Sequence, residues 1–247
     1  MPITASQIVM YTSANMPVND TASNGGAINS GIRVVFDDIA ATDVVEASGA
    51  AADSGTVTIT GRKSDGVIAT DSFALSGTTI VSGAVQFERI LIVAVDAIAS
   101  GNIILRDAGT NTTIGTIPVT ESGFRRPFYD ATANAAGGAD KDLYEKIFVM
   151  NTHTSLALLT ATVTEIESGL YTKAAFALEN TYASTQSVTD RTTVPTGTGP
   201  YSSGASGVPS DDITALNYLG IWITLDLNAG DAAQNSFYQL QVNGSST

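Results

Sequence analysis

Apolar and polar residues alternate in short runs along most of this chain. Val57 and Ile59 are interleaved with Thr56, Thr58 and Thr60, which gives one apolar and one threonine-lined face. A period of two is the signature of a β-strand with one face buried. Further strands are predicted at FERILIVAV (87–95), NIILRD (102–107), LYEKIFVM (143–150), LLTATVTEI (158–166), YLGIWITLDL (218–227) and FYQLQV (237–242). Clusters of Gly, Asn, Asp, Ser and Pro separate them. No segment sustains a 3.6-residue period, and 211–219 holds a helical turn at most. Short strands at this spacing, with turn signals between them, predict an all-β sandwich or barrel.

The pattern within each run says how a strand is covered. In 87–95, Phe87, Leu91, Val93 and Val95 share one parity and Ile90 and Ile92 the other, as expected for a central strand covered on both faces. In 218–227, Leu219, Ile221, Ile223, Leu225 and Leu227 face one way, with Tyr218, Trp222 and Thr224 opposite. Trp222 has two readings: with Tyr218 it forms an exposed sugar platform or interface anchor, or a second layer buries it in the core.

Three stretches interrupt the pattern. Residues 1–31 read as an extended amino-terminal arm whose apolar patch is Ile8, Val9, Met10 and Tyr11, followed by the loop-like NDTASNGGAINSG. An Ala/Ser/Gly stretch at 47–54 reads as a linker. Residues 181–212, rich in Thr, Ser, Gly and Pro, read as a mobile loop or as a contact element ordered against a neighbour. Two modules follow from this division: a first β module at 32–120 and a second β-sandwich module at 121–247. A weak internal echo relates GIRVVFDDIAA (31–41) to GFRRPFYDATA (123–133), as though a similar strand enters each module.

Composition narrows the classes of function. Of 247 residues, 43% are hydrophobic, enough for a core, and only 14% are charged. The net charge is −13 and the last basic residue is Arg191. Such a surface repels phosphate backbones, so no nucleic-acid partner is expected. Without cysteine there is no disulfide, thiolate metal site or thiol nucleophile. MPITASQIVMYTS has no basic region leading into an apolar one, so no signal peptide is expected. The longest apolar run, ILIVAV at 90–95, is too short to span a membrane.

Candidate chemistry is sparse. The single histidine, His153, sits in the polar NTHTS turn, and no serine lies in a G-x-S-x-G elbow. The carboxylate clusters Asp37-Asp38, Asp140-x-Asp142 and Asp211-Asp212 lack the spacing of a calcium loop, and turn acidity accounts for GGADKD (137–142). There is no P-loop and no strand–GxGxxG–helix unit. No enzyme activity, cofactor, metal or small-molecule substrate is expected.

The block GTVTITGRKSDGVIATDSFALSGTTIVSGAVQFERILIVAV (55–95) resembles a module that recurs in virion proteins of tailed bacteriophages. NGGAIN, VVFDDI, RRPFYDA and YEKIFVMNTHTSLALLTATV resemble segments of the same proteins. The resemblance implies an accessory structural protein of the capsid decoration or cement type, built of Ig-like (or jelly-roll-like) sandwiches. It also implies that the amino-terminal strands, within 1–45, pack with the second module, making 50–120 an insertion. On this reading the chain is made in the host cytoplasm and sits on the capsid exterior. It binds the major capsid protein or other virion subunits as a homo-trimer. The arm and the long polar stretch would make the contacts, through Ile8, Met10, Tyr11, Tyr182, Tyr201 and Trp222. Rival readings are a tail or fibre component and a carbohydrate-binding or adhesin module.

Overall fold

The computed structural model describes residues 2–97, 100–167, 173–232 and 238–246. The protein is all-β. Its strands are β1 (Ile8–Asn15), β2 (Asn24–Arg33), β3 (Val45–Ser48), β4 (Thr56–Arg62), β5 (Ile68–Ala74), β6 (Val81–Ser82), β7 (Arg89–Val95), β8 (Ile103–Asp107) and β9 (Thr113–Ile117). They continue with β10 (Gly123–Arg125), β11 (Lys141–Asn151), β12 (Leu159–Glu167), β13 (Ala174–Tyr182), β14 (Ser187–Val188), β15 (Ala205–Gly207), β16 (Tyr218–Leu227) and β17 (Gln239–Ser245). Phe237, expected to open the last strand, lies outside the described residues. No helix among the described residues is long and apolar enough to cross a membrane.

The chain divides into two compact units, one of Met1–Asn29 with Pro127–Thr247 and the other of Ser30–Arg126. The division expected between 120 and 121 thus falls after Arg126, and residues 1–29 belong with the carboxy-terminal part.

In the unit Ser30–Arg126, one sheet runs from the end of β2 through β10, β7 and β4 to β5, and the other has the order β6-β3-β8-β9. One core joins them. Val57, Ile59, Ile90, Val93, Val95 and Phe124 from the first sheet cluster with Val45, Ala47, Ile103, Leu105, Ile114 and Ile117 from the second. The period-two reading of β4 holds, with Val57 and Ile59 buried and the threonines half-exposed. β7 is central, as expected, but Ile92 is half-buried and Ala94 exposed, so its outer face is only partly covered. The stretch 47–54 is not a linker, because Ala47 lies in the core and buried Asp53 accepts backbone N–H groups from Ala50 and Ser100. The two echo segments lie side by side: Gly123 and Phe124 of β10 pair in parallel with Ile32 and Arg33 of β2.

In the other unit, the larger sheet has the order β13-β16-β11-β1-β2, with β14 on β2, and a second sheet has the order β15-β12-β17. The amino-terminal segment is therefore not an arm. β1 lies between β11 and β2, in register from Ile8 opposite Asn151 to Thr12 opposite Ile147. Its four consecutive apolar residues suit a strand flanked on both sides. NGGAIN is strand rather than loop for a steric reason. Gly25 has φ +93°, and a Cβ there would stand 2.7 Å from the Trp222 ring, so the backbone approaches as only glycine permits.

Residues 181–212 are pinned within this unit. Ser187 and Val188 pair with Gly25 and Asn24, Ser206 pairs with Val163, and isolated bridges join Ser202 to Phe176 and Thr198 to Glu179. The stretch is held by backbone hydrogen bonds rather than a row of apolar side chains, so its composition reads as loop.

Candidate functional site

β11 is the strand through which the larger unit's charges are organised. From Leu143 to Val149 every residue is buried, including Glu145 and Lys146, whose side chains leave opposite faces. Each finds an opposite charge.

On one face, Lys146 Nζ lies 2.7 Å from Glu179 Oε1, with the side chains 0% and 1% exposed. Lys146 also donates to the carbonyl oxygens of Gly26, Ser184 and Gln186, each at 3.2 Å. The Trp222 indole N–H donates to Glu179 Oε1 at 3.2 Å. Glu179 crosses β16 to reach Lys146, and it can do so because position 220 is glycine. A Cβ at Gly220 would stand 2.0 Å from Glu179 Oε2. Burial pulls the Lys146 ammonium below its ordinary value, and the Glu179 carboxylate opposes that shift.

On the other face, Arg191 gathers carboxylates from three segments. Its guanidinium lies 2.7 Å from Glu145, 3.0 Å from Asp130 and 3.7 Å from Asp20. Asp20 also takes Lys141 at 2.6 Å. The Arg191 backbone N–H donates to Asp20 and its carbonyl accepts from Tyr144. A planar guanidinium can serve several carboxylates at once, which a buried ammonium does less well. With Lys173 on Asp231 at 2.6 Å, all four basic residues of this unit are ion-paired inside it.

The carboxylate clusters noted in the sequence serve the backbone and these pairs. Asp38 accepts the Ile90 and Ile39 N–H groups and pairs with Arg126 at 3.0 Å, while Arg126 also sits over the Phe36 ring. Asp140 accepts the Ala229 N–H, and Asp212 accepts the Thr160 N–H. Among the described residues no group of three or more His, Asp or Glu is placed to hold a metal ion. His153 Nδ1 accepts the N–H groups of Ser155 and Leu156, so the ring caps its own turn.

The six residues expected to make partner contacts are scattered in burial. Trp222 is fully buried and Tyr11 nearly so, which removes both as surface anchors. Trp222 packs with Tyr144, Val188 and Tyr201 because the 186–201 segment covers that face of the sheet. Trp222 therefore forms no sugar platform with Tyr218. Tyr201, expected as a contact, is half-buried against Tyr144, with ring centroids 5.7 Å apart. Tyr182 is half-buried and donates its hydroxyl to the Asp212 carbonyl at 2.6 Å. Ile8 and Met10 are half-buried in β1. Only Trp222 and Tyr201 come together, and they do so as core.

An open groove of about 380 Å³ is lined by Leu178, Asn180, Pro200, Val208 and Pro209, with Glu179. The Glu179 carboxylate is engaged with Lys146, so the groove brings together no set of titratable groups. The exposed large apolar residues include Val35, Val67, Ile68, Ile80, Val194 and Leu216. Compared with known proteins, the chain matches no family model, no curated protein and no solved structure.

The buried charges leave a trace in the sequence. Lys146 stands inside LYEKIFVM and Glu179 inside FALEN, each within an apolar strand. A charge in that setting signals a buried partner, but the partner's identity depends on strand order.

Proposed function

We propose that this protein is a non-enzymatic structural component of a bacteriophage virion, a decoration or cement protein that binds the assembled shell and stabilises it. The observation that carries the reading is the fate of the charges. The unit that contains both chain termini holds its four basic residues in internal ion pairs. It shows solvent carboxylates such as Asp142, Asp211 and Asp226. An acidic, threonine-rich β surface is suited to contact with protein near packaged DNA, because it gains nothing from phosphate. The sequence blocks that resemble virion proteins support the same reading. The proposed partner is the major capsid protein, met by a homo-trimer, so that several weak contacts act together at one shell position.

Quantitative peptide mass spectrometry on purified particles tests this. Copies comparable to the major shell protein are expected. A handful of copies would place the protein in the tail or at a vertex, and absence from particles would overturn the virion reading.

A further inference from the structure

Lys146 and Glu179 are held in a geometry that does more than neutralise charge. Their contact of 2.7 Å between Nζ and Oε1 holds the amine nitrogen against an oxygen one bond away from the Glu179 carboxyl carbon. The surroundings are dry. Nζ lies 4.6 Å from the Phe148 ring centroid and 5.7 Å from that of Trp222. Three backbone carbonyls converge on the amine, and the Trp222 N–H meets one carboxylate oxygen. The other oxygen, Oε2, is buried with no hydrogen-bond partner. A buried carboxylate normally has both oxygens satisfied, so this is a poor resting place for a full charge.

We propose that Lys146 and Glu179 condense into an intramolecular isopeptide bond. Proton transfer across the 2.7 Å contact from the ammonium to Oε1 gives a neutral amine and a neutral carboxylic acid, the reactive pair. Burial already lowers the Lys146 affinity for its proton. Nζ then attacks the carboxyl carbon, and the Trp222 N–H, which meets Oε1, stabilises that oxygen as it becomes the leaving group. The backbone carbonyls orient the amine hydrogens. The bond from carbon to Oε1 breaks, and Oε1 leaves as water carrying two of the three ammonium protons, while Oε2 becomes the amide carbonyl oxygen. The third stays on the amide nitrogen. The exchange needs no oxidant, reductant or cofactor.

The bond would join β11 to β13 across β16, which lies between them in the sheet. In a chain without cysteine it supplies the covalent closure that a disulfide gives elsewhere, restricting the unfolded state. The inference does not depend on the virion reading.

Intact mass spectrometry of the denatured full-length protein tests it. The expected mass is about 18 Da below that of the sequence, the water lost. Proteolysis is expected to yield one branched peptide carrying Lys146 and Glu179. Lys146→Arg, which keeps the cation but cannot form this amide, is expected to return to full sequence mass. A wild-type mass equal to that of the sequence would overturn the proposal. So would a loss of water mapped elsewhere, for instance to a cyclised Asp65-Gly66, with no branched peptide.

Discussion

Arg191 and Glu145 lie 2.7 Å apart, each 1% exposed, although 46 residues separate them in the chain. Glu145 belongs to the central strand β11, and Arg191 to the stretch whose composition reads as loop. This one pair, with Asp130 on the same guanidinium, ties that stretch to the sheet beneath it. Removing one partner of a buried pair leaves the other charge desolvated and unmatched, which costs more than the pair itself contributes.

Arg191→Met is therefore expected to lower unfolding stability by about 3–5 kcal/mol, read from urea denaturation. Limited proteolysis is expected to cut within 183–200 in the variant and not in the wild type. An unchanged denaturation midpoint would show that the network contributes nothing net.

Gly220→Ala tests the path of Glu179 over β16. The added Cβ would stand 2.0 Å from Glu179 Oε2 and 2.8 Å from the Lys146 side chain. The pair must shift, and a loss of about 1–3 kcal/mol is expected, as for an overpacked core. A red shift of Trp222 fluorescence is expected with it, since the indole N–H shares the displaced carboxylate.

Tyr182 supplies an alkaline limit. Burial, reinforced by the carboxylates of Asp212 and Asp211, pushes its hydroxyl up to about 12 from its ordinary 10.0. The folded state thus favours the neutral phenol. Its contribution is complete below pH 10 and is lost as pH rises through 12. Tyr182→Phe is expected to cost about 1 kcal/mol at neutral pH, for the lost hydrogen bond to Asp212, and to flatten the stability profile over that alkaline window. Chemical denaturation at a series of alkaline pH values measures both.

Asp107 supplies the acid limit. Burial raises its pKa, but N–H groups from Ala40, Thr110 and Gly109 outweigh that and hold it below the usual carboxylate value. A depressed pKa contributes stability that is present above the unfolded value and lost as pH falls through the folded one. Asp107→Asn is expected to cost about 1–3 kcal/mol at neutral pH and to make the acid limb shallower. Denaturation midpoints measured from neutral pH downward, wild type against variant, check it.

What the sequence determined was the type and covering of the strands. Alternation of Val57 and Ile59 with threonines fixes which face of β4 is buried, because side chains in a strand alternate strictly. The apolar residues on both parities of 87–95 mark a central strand, and β7 is one, although half-buried Ile92 and exposed Ala94 leave its outer face partly open. The place of Ile8–Tyr11 in the middle of a sheet was decided only by the tertiary structure. A strand cannot announce its neighbours when one of them comes from residues 147–151. The same holds for Asn24–Arg33 and the 181–212 stretch, whose backbones pair with distant strands while their side chains carry no periodic signal. The burial of Trp222 needed the 186–201 segment to be folded over it. The candidate site was legible only as isolated charges in apolar strands. Which lysine meets which glutamate depends on β13 and β11 flanking β16, a long-range arrangement that no local pattern encodes.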